Sequence, residues 1–201
     1  MEDLATYSLF LKRILLPIAS SMKGMNVMSC LRELERTQWY SKEQIIKLQT
    51  KRLRALLEHA YRNVPYYREM FKMLGLGPAD IRSPRDITKL PILNKEDVRR
   101  YSGELVAMNY PQKRLYPMST SGSTGQPLRF YQDNIVRSYI YAANIRNFSW
   151  AGLEYGDKYA RFTGSPFDSG IRGRVYDAIH NALTRRVGAF PSYDMTEAKL
   201  L

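Results

Sequence analysis

Cysteine and histidine are scarce in this sequence of 201 residues. The one cysteine, Cys30, cannot form a disulfide within the chain, so the fold needs no oxidising compartment. The two histidines, His59 and His180, lie far apart, and no local spacing of His and Cys suits a zinc site. We therefore predict no metal centre, and we predict a packing or capping role for His59.

Long hydrophobic runs and acidic residues are also few. No stretch approaches the roughly 20 apolar residues that a membrane-spanning helix needs, and the opening Met-Glu-Asp lacks the basic head of a signal peptide. We expect a cytoplasmic protein. Lysine and arginine number 31 against 19 aspartates and glutamates, a formal net charge of +12. That surplus favours an anionic partner without choosing among nucleic acid, an acidic membrane and a phosphorylated substrate.

An amphipathic segment, residues 7–23, lies near the start of the chain. Its apolar residues at helical spacing are Leu9, Phe10, Ile14, Leu15 and Ile18, with Lys12, Arg13 and Lys23 beside them. A segment of this kind can make a peripheral membrane contact. Packing of the stripe on the protein's own core or on a partner helix is the interpretation that we favour.

Helical periodicity dominates residues 1–110. Ser41 is predicted to cap a long helix, with Gln44 as its capping-box partner, and the residue before Pro65 should end that helix near Arg62. A short aromatic helix should follow. Its predicted buried residues are Tyr66, Tyr67, Met70, Phe71 and Leu74, and Gly75 should close it in the left-handed conformation. Further N-caps are predicted at Ser83 and Asn94.

The periodicity changes beyond residue 110, and we predict an α/β chain from this change. Asp133 should cap a helix that ends at Gly152. Strands are predicted at 115–118, 128–131, 159–162 and 186–190, and helices at 172–183 and from 196 onward. Residues 1–110 would form a helical region, and residues 111–201 would begin a nucleotide-binding subdomain of the same continuous domain.

The loop between the first two predicted strands is the candidate functional site. Residues 119–127 read STSGSTGQP, in which the glycines leave backbone N–H groups unobstructed and the hydroxyls add donors for phosphate oxygens. The loop is not a Walker A motif, because Gln126 and not lysine follows Gly125, and it lacks the GxGxxG spacing of dinucleotide sites. A flexible linker has a similar composition. The loop of residues 119–127 is, however, longer than most loops that join two strands, and this length favours phosphate binding.

The stretch TSGSTGQP, which begins at Thr120, resembles the phosphate-loop signature of adenylate-forming enzymes, a superfamily that includes acyl-coenzyme A ligases. The flanking stretches HAYRNVPYYREMF from His59 and LPILNKEDVRR from Leu90 are similar to the phenylacetate-coenzyme A ligase branch and its capsular-polysaccharide-biosynthesis relatives. The resemblance runs from about Trp39 to Leu201. It implies a helical amino-terminal region leading into the mixed β-sheet and helix layers of an adenylate-forming large domain, incomplete at the carboxy terminus.

The resemblance implies that the loop binds the β- and γ-phosphates of ATP. The residues so implied are Thr120, Ser121, Gly122, Ser123, Thr124 and Gly125. It also implies Mg2+, a small-molecule carboxylate as substrate and coenzyme A as a candidate co-substrate. Leu128 stands where many adenylate-forming enzymes have a lysine. Family members are more than twice as long, so we expect the chain to be a fragment that is inactive alone, and we assign no catalytic residue.

Two other functions stay open on the sequence. The chain could be a non-catalytic relative that serves surface polysaccharide biosynthesis, or a basic module for an anionic partner. Its basic residues are dispersed among acidic ones and no nucleic-acid motif is present, so we expect no nucleic-acid partner. A homodimer is a further option, because a fragment with an incomplete sheet would expose an apolar edge.

Overall fold

The computed structural model describes residues 9–111, 114–120, 127–157, 159–163 and 188–191. The chain divides into two compact units, one of Glu33–Arg137 and one of Met1–Arg32 together with Ser138–Leu201. The boundary that the sequence suggests at residue 110 stays a prediction.

The described elements make the chain a mixed α/β protein, as predicted, and helices predominate among them. The helices are α1 (Leu16–Met22), α2 (Val27–Thr37), α3 (Lys42–Asn63), α4 (Pro65–Met73), α5 (Lys95–Arg100) and α6 (Asn134–Trp150). A π-helix, Leu11–Leu15, precedes α1, and 3-10 helices form at Pro78–Asp80 and Pro84–Lys89. The strands are β1 (Tyr116–Ser119), β2 (Arg129–Gln132), β3 (Ala160–Thr163) and β4 (Gly188–Pro191). None of the helices among these residues is long and apolar enough to cross a membrane.

The π-helix decides which face of the first segment is buried. The Leu16 N–H donates to the carbonyl oxygen of Leu11, five residues earlier. Such i to i+5 bonding brings Leu11 and Leu16 towards one side of the helix, and both are buried. Four residues of the predicted stripe are instead about half exposed: Leu9, Phe10, Ile14 and Ile18. The buried face therefore differs from the apolar stripe that the sequence suggests.

The unit that contains the first segment also contains α6 from Ser138 onward and the parallel strands. Ser138 and Ala142, one turn apart on α6, are both buried, and the Ser138 Oγ accepts a hydrogen bond of 3.0 Å from the backbone N–H of Asn26. Strands β3 and β4 pair in parallel, with Ala160 opposite Gly188. Both strands match predicted ones within two residues. The predicted helices at 172–183 and from 196 onward lie outside the described residues.

The unit of Glu33–Arg137 contains the long helix α3 and its partner α4. Ser41 and Gln44 form the predicted capping box: the Gln44 N–H donates to the Ser41 Oγ, and the Ser41 N–H donates to the Gln44 Oε1. Val64 has extended backbone angles (φ −109°, ψ 111°) and both ends α3 and begins α4. This matches the effect expected of a residue that precedes proline.

A hydrophobic cluster joins α3 to α4. Its buried residues are Leu57, Met70, Phe71 and Ile81. The rings of Tyr61 and Phe71 meet edge to face with centroids 5.7 Å apart. Gly75 adopts φ 61°, as predicted for the residue that closes α4. The predicted burial of Leu74 is wrong, because this side chain is 42% exposed at the end of the helix.

Candidate functional site

An antiparallel hairpin carries the candidate loop. Strands β1 and β2 pair in one register, from Tyr116 opposite Gln132 to Ser119 opposite Arg129. These strands match the predicted ones within one residue at each end. A hairpin of two strands is only marginally stable by itself, so contacts at its base and at the entrance to the loop matter.

Thr120 and Leu128 hold the entrance to the loop. The Thr120 N–H donates to the Leu128 carbonyl oxygen at 3.0 Å, and the Leu128 N–H donates to the Thr120 Oγ1 at 3.0 Å. This pair continues the strand register by one step, with a hydroxyl in place of the usual backbone acceptor. The Thr120 hydroxyl acts as an acceptor in this bond, and a hydroxyl also carries a hydrogen that it can donate. It lies exposed where the loop begins.

Of the six residues that the resemblance implies for phosphate binding, Thr120 lies within the described residues. The other five, Ser121, Gly122, Ser123, Thr124 and Gly125, lie outside them. Their role stays a prediction. The described residues instead show how the two ends of this loop are fixed, which sequence reasoning did not anticipate.

Asp133 anchors the base of the hairpin to the start of α6. Its Oδ1 accepts a hydrogen bond of 2.8 Å from the Val136 N–H, so Asp133 is the N-cap of α6, as predicted. Its Oδ2 accepts a hydrogen bond of 2.5 Å from the Tyr110 hydroxyl. The pKa of Tyr110 is raised, chiefly by the hydrogen bond to Asp133 and secondly by burial of the hydroxyl. One carboxylate thus binds the residue after β2 to both a helix and the segment that leads into β1.

A second contact strengthens this base. The guanidinium of Arg137, in the first turn of α6, lies 3.9 Å from the centroid of the Tyr116 ring at the start of β1. A cation over an aromatic face at this distance contributes about 0.5 to 1 kcal/mol at an exposed site. Neither Tyr110 nor Arg137 was predicted to belong to the site, because both act through contacts that the sequence pattern does not encode.

Arg129 is a further site candidate that sequence reasoning missed. It begins β2, pairs with Ser119 and is exposed beside the loop entrance. The available signal was a cation two positions after Pro127, close to the position at which many adenylate-forming enzymes have lysine. No group of three or more His, Cys, Asp or Glu residues that could hold a metal ion occurs within the described ranges.

Curated relatives of the chain carry one name. The chain is 36% identical over 135 residues to the phenylacetate-coenzyme A ligase of Escherichia coli strain K12, a match covering 62% of this chain and 30% of that protein. The ligase of the same name from Aromatoleum evansii is 35% identical over 143 residues, covering 66% of this chain and 31% of the relative. That of Thermus thermophilus is 27% identical over 184 residues, covering 79% and 40%.

These matches relate the chain to the adenylate-forming ligases, as the sequence motifs predict. Within that class, the relatives that it resembles are phenylacetate-coenzyme A ligases. The matches span about a third of the length of the first two of these relatives. No protein-family model matches the chain.

Proposed function

We propose that this chain supplies the ATP-phosphate-binding part of a ligase that activates a carboxylate, as an acyl- or aryl-coenzyme A ligase does. The observation that carries the proposal is a hydroxyl- and glycine-rich loop on a fixed hairpin, in a chain that is 36% identical over 135 residues to a phenylacetate-coenzyme A ligase. ATP, Mg2+, coenzyme A and a small carboxylate follow from the same relationship, and so does the large adenylate-forming domain.

The reaction explains why such a loop is needed. A carboxylate oxygen attacks the α-phosphorus of ATP, the bond to the bridging oxygen breaks, and pyrophosphate leaves with its negative charge. The thiol of coenzyme A then attacks the acyl carbonyl carbon, and AMP leaves. Donors that hold the β- and γ-phosphates therefore bind the first leaving group, and fixed donors stabilise the charge that develops on it.

The hairpin suits this task because the two ends of its loop are held together before the nucleotide arrives. The bonds between Thr120 and Leu128 hold the two ends of the loop together, which lowers the entropy lost when a ligand orders it. Thr120 offers a hydroxyl donor at the entrance, and Arg129 offers a cation beside it. Mg2+ would neutralise phosphate charge, and such an ion is held chiefly by the phosphates and by water.

Isothermal titration of the 201-residue chain with ATP tests the binding step. We expect binding by the wild type, and we expect Thr124→Ala to weaken it about 10- to 100-fold, the usual effect of losing a hydrogen bond to a charged group. Ser102→Ala, in an exposed turn, is the matched control and should bind as the wild type does. A folded wild type without ATP affinity, or a Thr124→Ala variant with full affinity, contradicts the proposal.

Pyrophosphate exchange tests the chemical step. The protein is extended to the length of its relatives, and exchange of labelled pyrophosphate into ATP is measured with a panel of carboxylic acids. Exchange that Gly125→Ala abolishes supports adenylation and identifies the acid. ATP binding without exchange would instead indicate the non-catalytic relative that the sequence leaves open.

A further inference from the structure

The first described helical segment exposes a continuous apolar stripe. The stripe consists of Phe10, Ile14, Ile18 and Met22, each four positions after the last, with exposed fractions of 50%, 50%, 55% and 84%. Residues at this spacing follow one another along a helix surface. Other positions of the same segment, Leu11, Leu16 and Ser20, are buried. The segment therefore packs inward with one face and leaves a second apolar face in water.

Within the sequence interval of residues 9–32, which contains this stripe, the charged residues have one sign. Between Leu9 and Arg32 the charged residues are Lys12, Arg13, Lys23 and Arg32, and the sequence has no aspartate or glutamate in that interval. Arg13 is exposed in the middle of the segment. An apolar stripe with basic residues and no acidic ones is the pattern that binds the interface of an anionic bilayer.

The length of the segment suits a helix that lies on a membrane surface. Leu11–Met22 would extend about 18 Å as an α-helix, well short of the roughly 30 Å of a hydrocarbon core. A second copy of this chain is a weaker occupant, because it would bring the same cations against the stripe and carries the same net charge of +12.

We propose that the stripe of Phe10, Ile14, Ile18 and Met22 inserts into the surface of an anionic phospholipid bilayer, with the exposed Arg13 at the headgroups. This interaction is independent of the nucleotide chemistry proposed above. It would hold the protein at a membrane surface, where an amphiphilic carboxylate or acceptor is also concentrated.

Vesicle co-sedimentation of the 201-residue chain tests the proposal. The vesicles contain phosphatidylcholine alone, or phosphatidylcholine with phosphatidylglycerol. We expect at least about ten-fold tighter binding to the anionic vesicles, falling as salt is raised. Arg13→Glu leaves every apolar side chain in place and changes the charge by two units. Each unit changes the affinity for an anionic surface roughly five-fold, so the variant should bind about 10- to 25-fold more weakly.

A stripe variant separates the apolar contribution from charge alone. Phe10→Ser, Ile14→Ser and Ile18→Ser together should reduce binding at least as strongly as Arg13→Glu, with the helical circular dichroism retained. Ile92→Ser is the matched control, since Ile92 is 92% exposed outside this segment, and it should bind as the wild type does.

Four results would overturn the proposal. They are no binding to anionic vesicles, equal binding to neutral ones, an Arg13→Glu variant that binds as the wild type does, and a stripe variant that does so. Sedimentation equilibrium without lipid adds a further arm. A dimer that the stripe variant converts to a monomer would assign the stripe to a second copy of this chain.

Discussion

Asp86 gathers hydrogen-bond donors at the turn between the two 3-10 helices. Its Oδ2 accepts from the backbone N–H groups of Arg82 and Ser83 and from the Ser83 hydroxyl, at 2.9 to 3.1 Å. Its Oδ1 lies 2.9 Å from the Lys89 Nζ. Lys89 first, and Ser83 next, lower the pKa of Asp86 to about 2. The ionised carboxylate is thus the form that the folded state prefers.

Asp86→Asn should change the response of the protein to acid. The folded pKa of about 2 lies below the unfolded value near 3.9, so the stability from this group is present above about pH 4 and lost between about pH 4 and 2. The wild type should therefore exceed the variant in urea midpoint at pH 6 by a margin that shrinks towards about pH 2. Lys89→Ala should raise the pKa of Asp86 in the folded state and so narrow the pH range over which this stability is lost. A margin that stays constant with pH would count against this assignment.

Tyr110→Phe should act at the opposite end of the pH scale. The pKa of Tyr110 is raised, so its contribution is present below the ordinary tyrosine value near 10 and lost as pH rises beyond it. At neutral pH the variant should lose about 1 kcal/mol of unfolding free energy, because Asp133 loses a donor. Urea unfolding at neutral and alkaline pH measures both effects. If the wild type and the variant lose the same unfolding free energy at alkaline pH, a group other than Tyr110 causes that loss.

Among the elements, those fixed by local contacts were predicted well. Ser41, Asn94 and Asp133 each accept a hydrogen bond from an N–H three residues later, and each begins a helix as expected. The strands of the hairpin also follow from alternation and turn residues within a few positions. Contacts between residues a few positions apart depend on a short stretch of sequence, so a local sequence pattern predicts them directly.

Elements whose outcome depends on distant partners were predicted less well. The apolar residues that the sequence suggests as a buried face, from Leu9 to Ile18, repeat at helical spacing. The buried residues are instead Leu11 and Leu16, because the π-helix turns the segment. Leu74 completes the apolar pattern of α4 and is nevertheless exposed. The contacts of Tyr110 with Asp133 and of Arg137 with Tyr116 join residues about 20 positions apart, which no local pattern specifies.

Helix α4 offers a test of where its stability lies. Phe71 is fully buried among Leu57, Met70 and Ile81, so Phe71→Ala should cost about 3 to 5 kcal/mol of unfolding free energy through lost burial and a cavity. Met73 lies on the same helix and is 82% exposed, so Met73→Ala should cost less than about 0.5 kcal/mol. Urea unfolding compares the two. Similar losses would mean that the packing of α4 differs from this cluster.

At the scale of the whole molecule, a ligand that binds only the folded chain stabilises all of it. ATP at about 100 times its dissociation constant should add about 2.7 kcal/mol, which raises the unfolding temperature by several degrees for a chain of this size. AMP lacks the β- and γ-phosphates and should stabilise less. Thr124→Ala should remove most of the difference between the two nucleotides. Thermal unfolding followed by circular dichroism measures this, and equal effects of ATP and AMP would contradict β- and γ-phosphate binding.

Val64 has a consequence for how the chain opens. It ends α3 and begins α4 with no linker between them, and its N–H still donates to the Ala60 carbonyl oxygen at 2.9 Å. Separating α4 from the cluster would move Phe71 and Met70 away from Leu57, so the last turns of α3 lose their cover in the same event. The amides of both helices should then exchange with deuterium in one cooperative unit, while the far end of α3 near Ser41 exchanges sooner.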